Sequence, residues 1–386
     1  MKRIIILSLF ILSSFLSGKA FTLSPNAEIS ILTCSPGSGL YSLFGHTAIR
    51  VQDSSANFDQ VFNYGTFDFQ TPHFYLKFAQ GLLPYQLTHT SFEHFMYAYR
   101  YEERSIFSQR LRLDSLQKQQ LFNFLLENYR PENRTYLYNF LFDNCTTRSR
   151  DILQKSLSTE ISWNTIDQHK NFWNLLDEYL YASPWVQWGI HTILGQRGNR
   201  EATTLQYMFL PDYLMYGLKT ATFQQQRLAD DVEILYEAPQ RELISPWYLT
   251  PIFIFSISSL IIIILLWKTQ STWLLNIITL IMFLFSAIVG ILIVFLGGFT
   301  AHPITAPNWN ILWANPLNLL ALIFILRRHI PHFISVYLKI YMSILVVAIP
   351  AWIICQPAVP VASIAIIILM IYLCLALRSK KKCIDR

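Results

Sequence analysis

Cysteine is scarce in this chain of 386 residues: there are five, and none stands at a metal-ligand spacing from the nine histidines, which excludes a structural zinc site. Only Cys34 and Cys145 precede the long apolar runs. Acidic residues all but vanish after Pro246. Residues 21–246 hold 23 of the 24 Asp and Glu but 18 of the 30 Lys and Arg, a net of −5. The formal charge of +6 therefore comes from 12 basic residues at the N-terminus and around the apolar runs. That distribution is a membrane-topology signal and excludes a nucleic-acid partner.

What is abundant is apolar sequence, 53% of the chain. Lys2-Arg3, an apolar run from Ile4 to about Leu16 and the small residues up to Ala20 read as a signal peptide over 1–20. The run is short for a retained span. Residues 21–246 then form an extracytoplasmic domain, and 247–386 a membrane domain of five transmembrane helices with a basic tail. The five segments are Trp247–Trp267, Trp273–Leu296, Ile311–Ile325, Ile334–Ile354 and Val359–Leu377. The third reaches spanning length only if the preceding Asn308-Trp309-Asn310 dips toward the bilayer.

Basic residues alternate with these segments. Lys268, Arg327-Arg328-His329 and the run Arg378–Lys382 lie on one side, and the breaks at 297–310 and around Gln356 carry no Lys or Arg. The positive-inside rule then places the large domain in the periplasm, the C-terminus in the cytoplasm and the chain in the inner membrane. The uncharged loop 299–310, with His302 and two prolines, emerges beside the large domain. It reads either as an interfacial turn or as part of a lipid-binding groove.

Within the large domain, Ile29–Cys34, Thr47–Val51, Gln60–Tyr64 and Ser105–Leu113 read as strands. The aromatic stretch His73–Tyr101 is loosely helical in its second part. Asp114-Ser115-Leu116-Gln117 resembles a capping box opening a helix to about Tyr129. Asn144 is a plausible N-cap for a helix over Cys145–Leu157.

Two of these elements carry chemistry. His46 begins a strand directly after Gly45, a placement suited to a general base. Cys145 opens a helix, where the dipole and a nearby imidazole acidify a thiol and make it a nucleophile. The bland alternatives are a core histidine and a buried thiol, or a structural Cys34–Cys145 disulfide in the oxidising compartment.

Histidine strand first and cysteine helix later is the reverse of the papain order. Gly45-His46-Thr47-Ala48-Ile49 and Asn144-Cys145-Thr146-Thr147 resemble the motifs of the circularly permuted, NlpC-like branch of the papain superfamily. More closely, the chain is similar to the Bacteroidota-type lipoprotein N-acyltransferases. That likeness rests on Leu32-Thr33-Cys34-Ser35-Pro36-Gly37, Leu43–Arg50, Phe62-Asn63-Tyr64-Gly65, Pro131-Glu132-Asn133-Arg134, Asp143–Arg148, Phe209-Leu210-Pro211, His302-Pro303 and Asn315-Pro316. Trp185–Arg200 has no counterpart in it.

The resemblance implies an α+β permuted papain-like periplasmic domain, and acyl transfer from a membrane phospholipid through a Cys145 thioester. The acceptor it implies is the α-amino group of a diacylglyceryl-cysteine on a lipoprotein. No cofactor is expected. His46 is the base, and Asn63 orients its second ring nitrogen, with Asp68 and Tyr64 as rivals. The Cys145 N–H, with Asn144 or Tyr41, is expected to form the oxyanion hole. Asp143 supports the site as a cap or an arginine partner. Arg134, Arg148 and Arg150 are either a clamp for the headgroup phosphate or pairs for Glu132, Asp143 and Asp151. His302 completes the substrate-binding set. The competing functions are a phospholipase or NlpC-type cell-wall amidase, and a non-catalytic module held by the disulfide.

Overall fold

The structure, a computed structural model, describes residues 21–164, 169–239, 245–325, 330–355 and 360–384. The expected signal peptide and the basic cluster Arg327-Arg328-His329 lie outside the described residues.

The first domain is built on one antiparallel sheet. Its strands are β1 (Glu28–Cys34), β2 (His46–Asp53), β3 (Phe58–Thr66), β4 (Pro84–Ser91), β5 (Ile106–Arg110) and β6 (Thr135–Leu137). After a small hairpin of β7 (Thr222–Phe223) and β8 (Gln226–Arg227), β9 (Glu233–Tyr236) completes it in the order β6-β4-β3-β2-β1-β5-β9. Six of the seven residues of β1 are buried, as a central strand covered on both faces requires. Ile29 and Ile31 join Ile49 and Val51 of β2 in the main core, against Leu121, Leu125, Ile152 and Leu153 of two helices. On the other face Leu32, Cys34, Ala48 and Val61 pack against Phe95 and Met96 of the helix Phe92–Tyr101. Both faces are apolar, so the sheet is the middle layer of three.

Several elements match their sequence signals. The Asp114 capping box is complete and opens the helix Ser115–Tyr129. The stretch His73–Tyr101 differs: a helix over Phe74–Gln80, then the strand β4, then the helix Phe92–Tyr101. Pairing of β4 with β3 and β6 overrides the weak local signal.

In the membrane region, Pro251–Thr269, Thr272–Gly298 and His332–Trp352 are long and apolar enough to cross a bilayer, and Ser363–Ser379 is a shorter apolar helix. The expected third span is not one helix over Ile311–Ile325. Trp309–Leu312 is a 3-10 turn, and the described helix covers only Asn318–Ile325. Polar groups satisfy the irregular backbone between them: Ser286 Oγ and Tyr341 Oη both donate to the Trp313 carbonyl, at 2.7 and 2.6 Å. Non-helical chain at membrane depth is tolerated only when it is enclosed in this way. Gly290 makes room for it, because a Cβ there would overlap the Ala314 carbonyl oxygen.

The helix Pro184–Ile193 and the loop 299–310 join the two regions. Trp188 Nε1 donates to Ser363 Oγ at 3.0 Å, and Asn308 Nδ2 donates to the Thr192 carbonyl at 2.9 Å. His302 Nε2 reaches the Ala79 carbonyl at 3.1 Å. The Trp185–Arg200 segment is thus a strut between the sheet domain and the membrane helices.

Candidate active site

The helix Cys145–Ser156 starts where its cap dictates. Asn144 Oδ1 accepts from the N–H groups of Thr146 and Thr147, both at 2.9 Å, while Thr147 Oγ1 accepts from the Asn144 N–H at 2.8 Å. The reciprocal pair is a capping box. Asn144 Nδ2 donates to the carbonyls of Phe140 and Phe209, each at 2.8 Å. Both amide hydrogens are therefore committed, and the side chain has none left for an oxyanion. Asn144 fixes the helix start instead. The Cys145 N–H, in the first turn, has no intrahelical acceptor and remains the candidate donor.

The imidazole comes from the sheet. Gly45 adopts φ +76°, and a Cβ there would meet the Cys34 carbonyl oxygen at 2.7 Å, so the turn into β2 requires glycine. His46 Nε2 lies 3.2 Å from Asn63 Oδ1 on β3. Asn63 Nδ2 donates to the Val61 carbonyl at 3.3 Å, which turns Oδ1 toward the ring. That network assigns the proton of the neutral ring to Nε2 and leaves Nδ1 free to accept one. Of the three residues proposed to hold the second nitrogen, Asn63 reaches it. Asp68 instead caps its own turn by accepting from the Gln70 N–H, and the Tyr64 hydroxyl accepts from Asn128.

The electrostatics of the thiol follow from this frame. Burial raises its pKa, but the His46 charge, a hydrogen bond from that ring, the Thr47 N–H and the Thr146 hydroxyl outweigh burial. The result is about 7, against an ordinary 9.0. Thr146 Oγ1 stands 3.8 Å from the sulfur and is itself tied to Thr47 Oγ1 at 3.1 Å. A thiolate forms readily at neutral pH in such a site.

The remaining residues divide. Arg148 forms a bidentate pair with Asp143, at 2.6 and 2.8 Å, and stacks on Tyr136 with its guanidinium 3.4 Å from the ring centroid. Asp143 is thus an arginine partner, and Arg148 braces the cysteine loop. Arg134 sits just before β6, its carbonyl accepting from the Leu87 N–H. Tyr41 is exposed on the turn Leu40–Ser42. His302 anchors the loop after the second long membrane helix rather than the thiol. Cys34 and Cys145 are both free cysteines, which overturns the structural disulfide.

Sequence reasoning missed three contributors. The Thr47 N–H carries no residue signature. Gly65 was visible in its motif without a role: at φ +88° it lies against the thiol residue, and a Cβ there would sit 3.5 Å from Cys145 Cβ. Tyr99 stacks on the outer side of His46 at 6.4 Å and 14°.

A separate cavity of about 620 Å³ lies behind the Pro36–Ser38 loop, lined by Lys170, Glu178, Tyr179, Asp212 and Tyr213 among others. Burial raises the Asp212 carboxyl, opposed by the hydrogen bond it accepts from Tyr179 at 2.7 Å. Neither Cys145 nor His46 lines it. Among the described residues, no group of three or more His, Cys, Asp or Glu is placed to hold a metal ion.

Comparison with known proteins adds the family. The model of the Lnb N-terminal periplasmic domain matches residues 20–178, and that of the Lnb transmembrane domain matches residues 241–383. No curated protein and no solved structure matches the chain. The strut Pro184–Ile193 falls between the two matched segments. With both domains present in order, this chain belongs to the Lnb-type lipoprotein N-acyltransferases, as a periplasmic domain followed by a membrane domain.

Proposed function

We propose that this protein transfers an acyl chain from a membrane phospholipid to the α-amino group of a diacylglyceryl-modified cysteine on a lipoprotein. The observation that carries this reading is the trio Cys145, His46 and Asn63, with a thiol near pH 7, in a domain bonded directly to membrane helices. Both substrates are confined to the membrane surface, which gives a thiol–imidazole site its reason to be fastened there.

In the first step the Cys145 thiolate attacks the ester carbonyl carbon. The oxyanion lies at the Cys145 N–H, the ester C–O bond breaks, and the His46 imidazolium gives its proton to the departing lysophospholipid oxygen. In the second step the neutral amine attacks the thioester carbonyl while Nδ1 of His46 takes its proton. The C–S bond breaks, the amide forms and the thiolate returns. Splitting the transfer in two lowers each barrier. Asn63 keeps the ring in one tautomer throughout.

The same reading takes the first domain, 21–246, as a circularly permuted papain-like unit, supported by the order of histidine strand and cysteine helix. It takes residues 247–386 as five spans, the third a broken one, with the C-terminus in the cytoplasm of an inner-membrane protein. Arg134 is the headgroup-phosphate contact in this scheme, since Arg148 is held by Asp143.

The test is intact-mass analysis of lipoprotein N-terminal peptides from cells in which this chain, or its Cys145→Ala form, is the sole source of the activity. One added amide-linked acyl chain with the wild type and none with the variant supports the reading. Release of free fatty acid with no acylated peptide makes the protein a hydrolase.

A further inference from the structure

The short helix Phe74–Gln80 is mostly apolar, with Lys77 and Gln80 as its polar exceptions, and has no buried residue. Tyr75 is 82% exposed, Leu76 and Phe78 53% each. No protein core accounts for that surface. The helix is nevertheless held in place: its C-terminal carbonyls of Ala79 and Gln80 accept from His302 Nε2 at 3.1 Å and from the Ala301 N–H at 2.9 Å. Those partners lie just beyond the end of the 27-residue membrane helix Thr272–Gly298. The helix is thus fastened at the level where a span leaves the bilayer, where rings with one wet edge are favoured.

A continuous run of rings leads inward from it. Phe78 and Phe74 stack at 6.4 Å, Phe74 and Phe67 lie 5.8 Å apart, Phe67 and Tyr85 5.2 Å, and Tyr85 and Tyr138 4.2 Å. Gly65 closes the series, with Cys145 Cβ on one side and the Tyr138 ring on the other, at 3.5 and 3.8 Å from where its Cβ would be. Phe78 at the outer end is exposed, Phe74, Phe67 and Tyr138 are half-buried, and Tyr85 and Cys145 are buried.

We propose that this ladder is the acyl-chain track. The donor lipid's chain leaves the bilayer at Phe74–Gln80 and lies along the rings, bringing its ester carbonyl to Cys145. The inference rests on the proposed acyl transfer and adds the donor's class, a long-chain phospholipid selected by ring contacts along its methylenes. Continuity with the membrane helices identifies the occupant. A chain that ends before Phe74 forfeits its contacts with the outer rings, so the site discriminates by length.

The test is a competition on the full-length protein in detergent micelles holding equal amounts of dipalmitoyl and dioctanoyl phosphatidylethanolamine. Intact mass reads the ratio of palmitoyl to octanoyl thioester on Cys145, a ratio indifferent to the fraction of folded protein. Phe74→Ala and Phe67→Ala are each expected to lower that ratio roughly three- to ten-fold, the worth of one aromatic contact, and Phe74→Leu to restore most of it. An unchanged ratio overturns the track while leaving acyl transfer standing. Absence of any thioester on the wild type overturns acyl transfer itself. A second measurement needs no variant: a phosphatidylethanolamine with a diazirine at the end of its acyl chain is expected to label peptides containing Phe74 and Phe78. Labelling confined to the membrane helices contradicts the track.

Discussion

Cys34 and Cys145 are two buried thiols in one domain, and they behave oppositely. Cys34 ends β1 in an apolar layer, and burial pushes its thiol up to about 12 despite the nearby Arg104 charge. Cys145 is also buried, yet its thiol falls to about 7. Enclosure is common to both, so it does not set the acidity of the thiol. The difference lies in what faces the sulfur: an imidazole, an N–H and a hydroxyl at a helix start for Cys145, and strand packing with a tyrosine hydroxyl for Cys34.

Replacing each thiol tests the contrast most severely. Cys145→Ala should lower acyl transfer by at least about a thousand-fold, whereas Cys34→Ala should leave it within roughly two-fold, followed as acylated peptide per unit time. Comparable losses in both would erase the distinction. Next is selective alkylation. Only the thiolate reacts, so iodoacetamide labelling of Cys145 should rise as pH increases through about 7, while Cys34 stays protonated and silent until its pKa near 12 is approached. His46→Ala removes two of the influences that lower the Cys145 thiol, so its labelling midpoint should move to higher pH.

Asn63→Ala leaves both thiols in place and frees the ring. A loss of about 10²-fold in turnover is expected, with substrate affinity little changed, because the tautomer and orientation of the base are lost. Gly45→Ala forces a side chain onto φ +76° and against the Cys34 carbonyl. It should cost roughly 1–3 kcal/mol of stability, read as a lowered midpoint of thermal unfolding in detergent. The smallest effect belongs to Arg148→Lys. The charge opposite Asp143 stays but the flat stacking on Tyr136 goes, for a cost of about 0.5–1 kcal/mol.

Local chemistry was the legible part of the site. Asn144 directly before Cys145 reads as an N-cap, and the structure adds the reciprocal bond with Thr147 that makes it a capping box. The strand after Gly45 was readable from alternation. Asn63 was nameable only through family likeness, because its bond to His46 depends on β2–β3 pairing. The Thr47 N–H was invisible, since every residue but proline has one. In the membrane half, hydropathy located the long helices but not the break at Trp309–Pro316. There Ser286, Tyr341 and Gly290, distant in sequence, make a bent backbone tolerable. The strand β4 was hidden because its own sequence signal is weak and its pairing with β3 and β6 fixes it.

The two-way anchoring of Asn144 has a practical meaning. One of its amide hydrogens ends on Phe140, the other on Phe209, a residue beyond the segment that the periplasmic family model covers. A fragment cut at residue 178 would keep every member of the trio and still leave an unmet donor beside Cys145. The smallest piece able to hold this thiol in register therefore extends at least to Phe209, and the protein is indivisible where its recognisable module ends.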